Sequence, residues 1–159
     1  PVAKATLDIT VIRQEIEQRG WRYHYQLIGR TVATPPNAIS AAMAVQSDKA
    51  LLHLRALHLA DSRPYALEDR WINLAALPQA EQADFSELGP NEWLVSTIPF
   101  SNAEISFSAT SADEQLAGHL GCAKGDALFT TERSTWWEGR AITYVRLSYQ
   151  RGHRVTTRY

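Results

Sequence analysis

Arg55 and Glu68 are the residues of this chain whose types most invite chemistry. A guanidinium fork grips a carboxylate or phosphate through two parallel N–H bonds. A carboxylate beside it accepts from an amine, an imidazole or a hydroxyl. Both stand in Leu51 to Asn73, LLHLRALHLADSRPYALEDRWIN, which reads as two strands joined at Asp61-Ser62-Arg63-Pro64, where Asp and Pro favour reversal. Side chains two apart on a strand share a face, so His53, Arg55 and Leu57 point one way and Leu52, Leu54, Ala56 and His58 the other. With Ala60 facing Tyr65, Leu57 lies opposite Glu68 and Arg55 opposite Arg70. Charge between Leu and Trp on such a face marks either a solvated surface or the floor of a polar pocket. The pair itself reads either as a site or as a structural ion pair across the hairpin.

A second group lies near the C-terminus. Thr143 and Tyr149 are six apart on one long strand, hence on one face, with Val145 and Leu147 between them. Two hydroxyls on an apolar face suit a small-molecule pocket, where few polar groups orient the ligand. An ordinary sheet face is the alternative. Trp136-Trp137 beside the Glu138-Gly139 turn reads either as a binding surface or, more commonly for such a pair, as one core ring and one partly exposed ring. Other chemistries find no support. His24, His53, His58, His119 and His153 form no His-x-x-x-His pair, no Cys-x-x-Cys exists, and His53 and His58 point to opposite strand faces, so neither a metal nor a cofactor is expected. No Gly-x-Ser-x-Gly elbow or phosphate-gripping glycine loop occurs. The single Cys122 reads as a small apolar residue past a helix end.

The elements that must position these residues follow from periodicity. Residues 1–8 read as a linker, and Ile9, Ile12 and Ile16 place a helix over Ile9–Arg19 with Gly20 as its stop. Trp21–Val32, rich in aromatic and β-branched residues, reads as a strand. Asn37 is positioned to cap a helix reaching about Gln46. After the hairpin, prolines and Gly89 break the chain until Pro90-Asn91-Glu92-Trp93-Leu94 opens a helix with its free N–H groups outward. Phe100–Thr110 is a strand, and Ser111-Ala112-Asp113-Glu114 has capping-box spacing for a helix that Gly121 ends. Ala127–Trp137 and Arg140–Gln150 are strands around the Glu138-Gly139 turn, and Arg154–Tyr159 is read as an edge strand. The sum is an α+β domain with a mostly antiparallel six-stranded sheet and flanking helices.

Composition sets the outer limits. The chain's 159 residues are enough for one domain with a real core, and 45% hydrophobic with 21% charged residues is ordinary globular usage. A net charge of −1, from 16 basic and 17 acidic residues, lacks the basic excess of a duplex-binding domain. Arg151, Arg154 and Arg158 read as a solvated strand end. One cysteine can form no intrachain disulfide, which fits a reducing compartment. No apolar run approaches the roughly 18 residues needed to span a bilayer, and no signal-peptide core stands at the N-terminus.

Taken in order, the helix ending Arg19-Gly20, Leu54-Arg55 with Pro64 and Leu67-Glu68-Asp69-Arg70-Trp71-Ile72-Asn73, Pro90-Asn91-Glu92-Trp93-Leu94, Glu132-Arg133-Ser134-Thr135-Trp136 and Tyr149–Arg154 resemble the UTRA effector-binding domain of GntR-type bacterial transcription regulators. Within that group the chain is most similar to the HutC-like branch of histidine-utilisation repressors. It departs from that branch at Glu104-Ile105 and at Gly152-His153-Arg154-Val155. The resemblance implies a chorismate-lyase-like fold without lyase activity. It implies that Arg55 holds the ligand's acidic group, with His53 where many relatives carry a second Arg. Asn91 then lies by a helix start that donates N–H bonds to the anion. Thr143, standing where sugar-phosphate-binding relatives have Glu, and Tyr149 complete the pocket, and Glu68 occupies a marked family position. These replacements imply a lighter anion than a sugar phosphate, such as urocanate.

The expected protein is thus a cytoplasmic, homodimeric effector sensor spanning residues 9–159. It is not an enzyme and takes no metal. It meets operator DNA only through a winged helix-turn-helix upstream of Pro1. Two rivals stand beside it: a chorismate-lyase-like enzyme with Arg55 binding a carboxylate and Glu68 as general acid, and a dimerisation module whose pocket has lost its ligand.

Overall fold

The structure, a computed structural model, describes residues 11–97 and 102–158. The linker expected at residues 1–8 and the start of the first helix at Ile9 lie outside the described residues. The elements in order are α1 (Ile12–Gln18), β1 (Tyr23–Ala33), α2 (Asn37–Ala42), β2 (Leu51–Ala60), β3 (Arg63–Ile72), a 3-10 turn (Pro78–Glu81), α3 (Pro90–Thr97), β4 (Asn102–Ser111), α4 (Glu114–Leu120), β5 (Ala127–Trp137) and β6 (Arg140–Tyr149). The strands form one six-stranded sheet in the order β1-β2-β3-β6-β5-β4, every pair antiparallel. Two hairpins, β2–β3 and β5–β6, meet at the β3–β6 pairing in its middle. This is the α+β class that the alternating strand and helix patterns require.

Alternation along β2 divides the core between the two faces of the sheet. Leu52 and Leu54 pack with Ile72, Leu77, Phe85 and Leu94 beneath α3. Farther along the same face, Ile12 and Ile16 of α1 pack on Ala60, Ala66 and Tyr149. Leu57 turns the other way, with Leu67, to meet Ala117 and Leu120 of α4. Leu51 and Trp71 likewise meet Met43 and Ile39 around α2. The sheet is therefore covered by α1 and α3 on one face and α2 and α4 on the other. Ile16, wholly buried, anchors its short helix with about 2 kcal/mol of transfer free energy. Seven-residue helices of this kind are held by packing rather than by propensity.

Boundaries differ from expectation where local chemistry overrides pattern. The helix begun at Asn37 stops at Ala42 because Ala44 takes a positive φ of 51°. Asn37 itself is the first helical residue and makes no cap. At α4 the Ser-x-x-Glu spacing misplaces the cap. Ser111 ends β4, and Asp113 is the N-cap, its carboxylate accepting from the Leu116 N–H at 2.8 Å. Gly121 closes α4 in the left-handed region at φ 67°, as read. Residues 153–158 pair with no strand and lie over the α1/α3 face instead of forming an edge.

Both hairpins are built alike. Asp61 and Ser62 have φ of 48° and 66°, and Glu138 and Gly139 have 51° and 77°, so each is a two-residue turn with both central residues left-handed. Each is followed, two pairs later, by a bulge on its second strand: Leu59 faces Pro64 but His58 faces Ala66, and Trp136 faces Ala141 but Thr135 faces Thr143. Pro64 has no N–H for the ladder, which is where bulges are tolerated. The expected register, with Ala60 opposite Tyr65, is corrected to Ala60 opposite Arg63. Beyond the bulge Ala56 faces Glu68, Arg55 faces Asp69 and Leu54 faces Arg70. The net slip is one residue, and with a period of two it exchanges the faces.

Candidate functional site

A cleft of about 400 Å³ opens on the α1/α3 face. Its floor is the middle of the sheet, where Glu68 and Arg70 of β3, Val145, Leu147 and Tyr149 of β6, and Thr131 and Arg133 of β5 come up side by side. One end is walled by α1, another by the first turn of α3, a side by Ile105 and Phe107 of β4, and the rim by residues from His153 to Arg158.

The floor is charged and almost dry. Glu68 and Arg70 are 2% and 1% exposed. Arg70 Nε donates to Glu68 Oε2 at 2.8 Å, and Arg70 reaches on to Thr143 Oγ1 at 3.1 Å. The other carboxylate oxygen, Oε1, lies 2.8 Å from His58 Nε2, whose opposite nitrogen is 2.7 Å from the Tyr23 hydroxyl. Burial by itself would push the Glu68 carboxyl up. The charge of Arg70 and the hydrogen bond from His58 outweigh it and hold Glu68 well below the usual carboxylate range. Tyr23 is raised, first by burial and then by the Glu68 charge, so its hydroxyl keeps its proton.

Arg133 occupies the centre of the cleft in a different state. Its guanidinium donates to the Asn91 side-chain oxygen in the first turn of α3. Burial, and then the nearby charge of Arg70, push it down to about 10. It stays cationic at neutral pH, with a neutral amide for a partner. Next to Asn91, Glu92 is engaged by Arg13 of α1 at 2.8 Å, and the Arg13 guanidinium lies 4.5 Å above the Tyr23 ring. Two consecutive residues of α3 thus hold one arginine of the floor and one of the wall.

The remaining wall is aromatic. Phe107 stacks on Phe129, and Tyr149 stacks on His153 with ring centroids 4.1 Å apart and planes 17° apart. His153 sits among Tyr65, Phe129 and Tyr149, its side chain 1% exposed. Its Nε2 is 3.7 Å from Glu15 and its Nδ1 is buried without a hydrogen-bond partner. Burial, then the charge of Arg19, lowers it to about 4, so it is neutral near pH 7.

Of the residues named from sequence, Glu68, Asn91 and Tyr149 line the cleft. Thr143 shares its face but lies under Arg70, 1% exposed, as a hydrogen-bond acceptor of the floor. His53 and Arg55 are corrected. The one-residue slip turns them to the α2/α4 face, where Arg55 is half-buried opposite Asp69. His53 Nε2 lies 2.7 Å from Asp69, and its ring stacks on Trp71 at 3.9 Å with planes 3° apart. Arg55 and Glu68 therefore form no pair, and Glu68 is the partner of Arg70 and His58. Residues missed from sequence are Arg133, Arg70, His58 and His153. Arg133 had a signal, since it stands on the strand paired to Thr143 and Tyr149. The β5–β6 bulge is what sets it opposite Val145, on their face. Among the described residues no group of three or more His, Cys, Asp and Glu side chains is placed to hold a metal ion.

A family model described as the UTRA domain matches residues 18–156. The histidine utilization repressors of Pseudomonas aeruginosa and Pseudomonas putida are 28% and 24% identical over 98% of the chain. The chain spans 62% and 63% of their lengths. Among solved structures, the C-terminal domain of the histidine utilization repressor from Pseudomonas syringae pv. tomato superposes with a TM-score of 0.79 at 21% identity, covering 87% of this chain and 99% of that one. The effector domain of PhnF from Mycobacterium smegmatis gives 0.80 at 19% identity, covering 94% and 93%. At these identities the two structures establish a shared fold.

Proposed function

From the chain's membership of the UTRA family, which the model matched over residues 18–156 establishes, we propose that it is the effector-binding domain of a bacterial transcriptional repressor and takes a small carboxylate, urocanate foremost, into the α1/α3 cleft. The observation that carries this reading is Arg133: a cation in the cleft, pushed down by burial and by Arg70, whose partner is a neutral amide. Such a group gains most from an anion, and a carboxylate fits its fork. The first turn of α3, holding Asn91 against the same guanidinium, adds the favourable end of a helix dipole.

The other features of the cleft narrow the ligand. The aromatic wall of Phe129 and Tyr149 suits a planar ring. The ionised Glu68 at the floor accepts from a ring N–H, which an imidazole supplies. Urocanate, a planar imidazole carboxylate, meets all three demands, and the relatives' names point to the same catabolic setting. Arg133, rather than Arg55, is the anion anchor in this reading, and Glu68 with His58 reads the opposite end. The DNA-binding part lies in the length of the relatives that this chain does not span, and the effector changes operator affinity only by binding two arrangements of the whole repressor unequally.

Thermal unfolding with and without urocanate tests the reading. Ligand at 100 times its dissociation constant stabilises the folded state by about 2.7 kcal/mol, and Arg133→Ala is expected to remove that shift while the chain stays folded. A shift from other planar carboxylates but not from urocanate would replace the ligand and keep its class. No shift from any of them would overturn the carboxylate sensor.

A further inference from the structure

The row Tyr23–His58–Glu68 has a direction. Glu68 is ionised, so it has no proton to give, and each of its oxygens accepts. The His58 nitrogen 2.8 Å from it, Nε2, therefore carries a hydrogen. Arg70 already balances this carboxylate, and Arg133 is a second cation on the same floor. No anion of the floor is left to compensate a charge on the His58 ring, which is 5% exposed. A neutral imidazole has one N–H and one bare nitrogen. With the hydrogen on Nε2, Nδ1 is the acceptor, and the Tyr23 hydroxyl 2.7 Å away is its donor.

The neighbours do not compete for these roles. Tyr25 also packs its ring on His58, with centroids 5.7 Å apart, but its hydroxyl donates to the Phe85 carbonyl at 2.7 Å. Arg13 lies above the Tyr23 ring and donates to Glu92. Among the described residues, none donates to the Tyr23 oxygen.

We propose that Tyr23 is a specificity-determining residue of the cleft, which it lines: its one hydrogen is committed to His58, so its oxygen meets a ligand only as an acceptor and selects one carrying an N–H or O–H as well as a carboxylate. Glu68 and His58 are the positioning residues that fix this polarity. The inference rests on the carboxylate-sensor reading and narrows it. Arg133 offers only donors and Tyr23 only an acceptor, so the cleft fits a molecule with an anion at one point and a donor at another. A ring of the same shape with a bare oxygen in place of the N–H sets lone pair against lone pair.

Calorimetric titration with urocanate and with 3-(2-furyl)acrylate, whose ring has no N–H, tests the selectivity. Urocanate should bind about tenfold or more tightly, the size of one hydrogen bond. Tyr23→Phe keeps the ring beneath Arg13 and should cut that preference by about tenfold, weakening urocanate but not the furan acid, with circular dichroism confirming the fold. Equal binding of both acids to the unaltered chain, or a preference that survives Tyr23→Phe, would overturn the inference and leave the carboxylate sensor standing. Nitrogen NMR of His58 in the ligand-free chain near pH 7.5 needs neither a substitution nor a ligand. A neutral ring with its hydrogen on Nε2 is expected. A hydrogen on Nδ1, alone or in the imidazolium, would overturn the acceptor role of Tyr23. Binding of neither acid would count against urocanate, and the nitrogen spectrum would still decide the polarity of Tyr23.

Discussion

The β2–β3 hairpin carries histidine, arginine and a carboxylate on both of its faces, and the two sets do opposite things. Toward α1 and α3, His58, Glu68 and Arg70 are nearly water-free, and each is held by the next. Toward α2 and α4, the Asp69 side chain is 41% exposed and His53 19%. Removing one member of a buried charge network strands the others, whereas an exposed pair trades one solvated state for another. Residue type therefore says little about role until the face is known, and the face depends on a single step of register.

The largest effect that would break this contrast is at Glu68. Glu68→Ala should destabilise the domain by about 3–5 kcal/mol, since it leaves Arg70 buried and unpaired, while Asp69→Ala should cost about 1 kcal/mol or less. Urea unfolding of the two variants decides it, and equal losses would erase the distinction between the faces. Ligand response should divide the same way. Arg133→Ala is expected to abolish the effector's stabilisation of about 2.7 kcal/mol and Arg55→Ala to retain it, which thermal shift resolves directly.

Acid should find the cleft face first. The His153 pKa is lowered from 6.5 to about 4 in the folded chain, so the folded state binds fewer protons than the unfolded one. The stability this histidine confers is present above pH 6.5 and is lost as pH falls toward 4, by about 2–3 kcal/mol at 1.36 kcal/mol per pH unit. His153→Phe, which suits the surrounding Tyr65, Phe129 and Tyr149, should flatten that part of the stability–pH profile. Loss of the Glu68 charge adds its own destabilisation in more acidic solution, where its lowered pKa is reached. The smallest effect is expected at His53→Ala, about 0.5–1 kcal/mol for its stack on Trp71, measured as a small fall in melting temperature with no change in ligand response.

The sheet, both hairpins and the start of α3 were legible from alternation and turn chemistry, because Asp61-Ser62, Glu138-Gly139 and Pro90 act locally. The cleft was legible only in part. Tyr149 was placed on the cleft face by the parity of one strand, and Asn91 by the family resemblance at a helix start. Arg55 and His53 were misplaced because a four-residue turn was read where Asp61 and Ser62 make a two-residue one, with Pro64 already in the strand and an extra residue after it. Nothing local to Arg55 reports such a slip. Arg133 was passed over for the related reason that its face depends on a bulge across the β5–β6 hairpin. His153 needed the packing of the chain after β6 onto three aromatic rings, which no spacing encodes.

The paired bulges bear on how such a domain changes length over generations. Tyr65 and Ile142 are the extra residues of the two bulges: each lies between neighbours whose cross-strand partners are consecutive residues. Tyr65 uses that place to donate its hydroxyl to Glu15 of α1, and Ile142 to enter the core beside Leu52 and Ile72. At these two points a residue can be gained or lost while Glu68, Arg70 and Arg133 keep facing the cleft. A one-residue change between Ala66 and Arg70 would instead present the opposite set of side chains to the cleft. The bulges thus mark where the chain can vary in length without changing which side chains line its cleft.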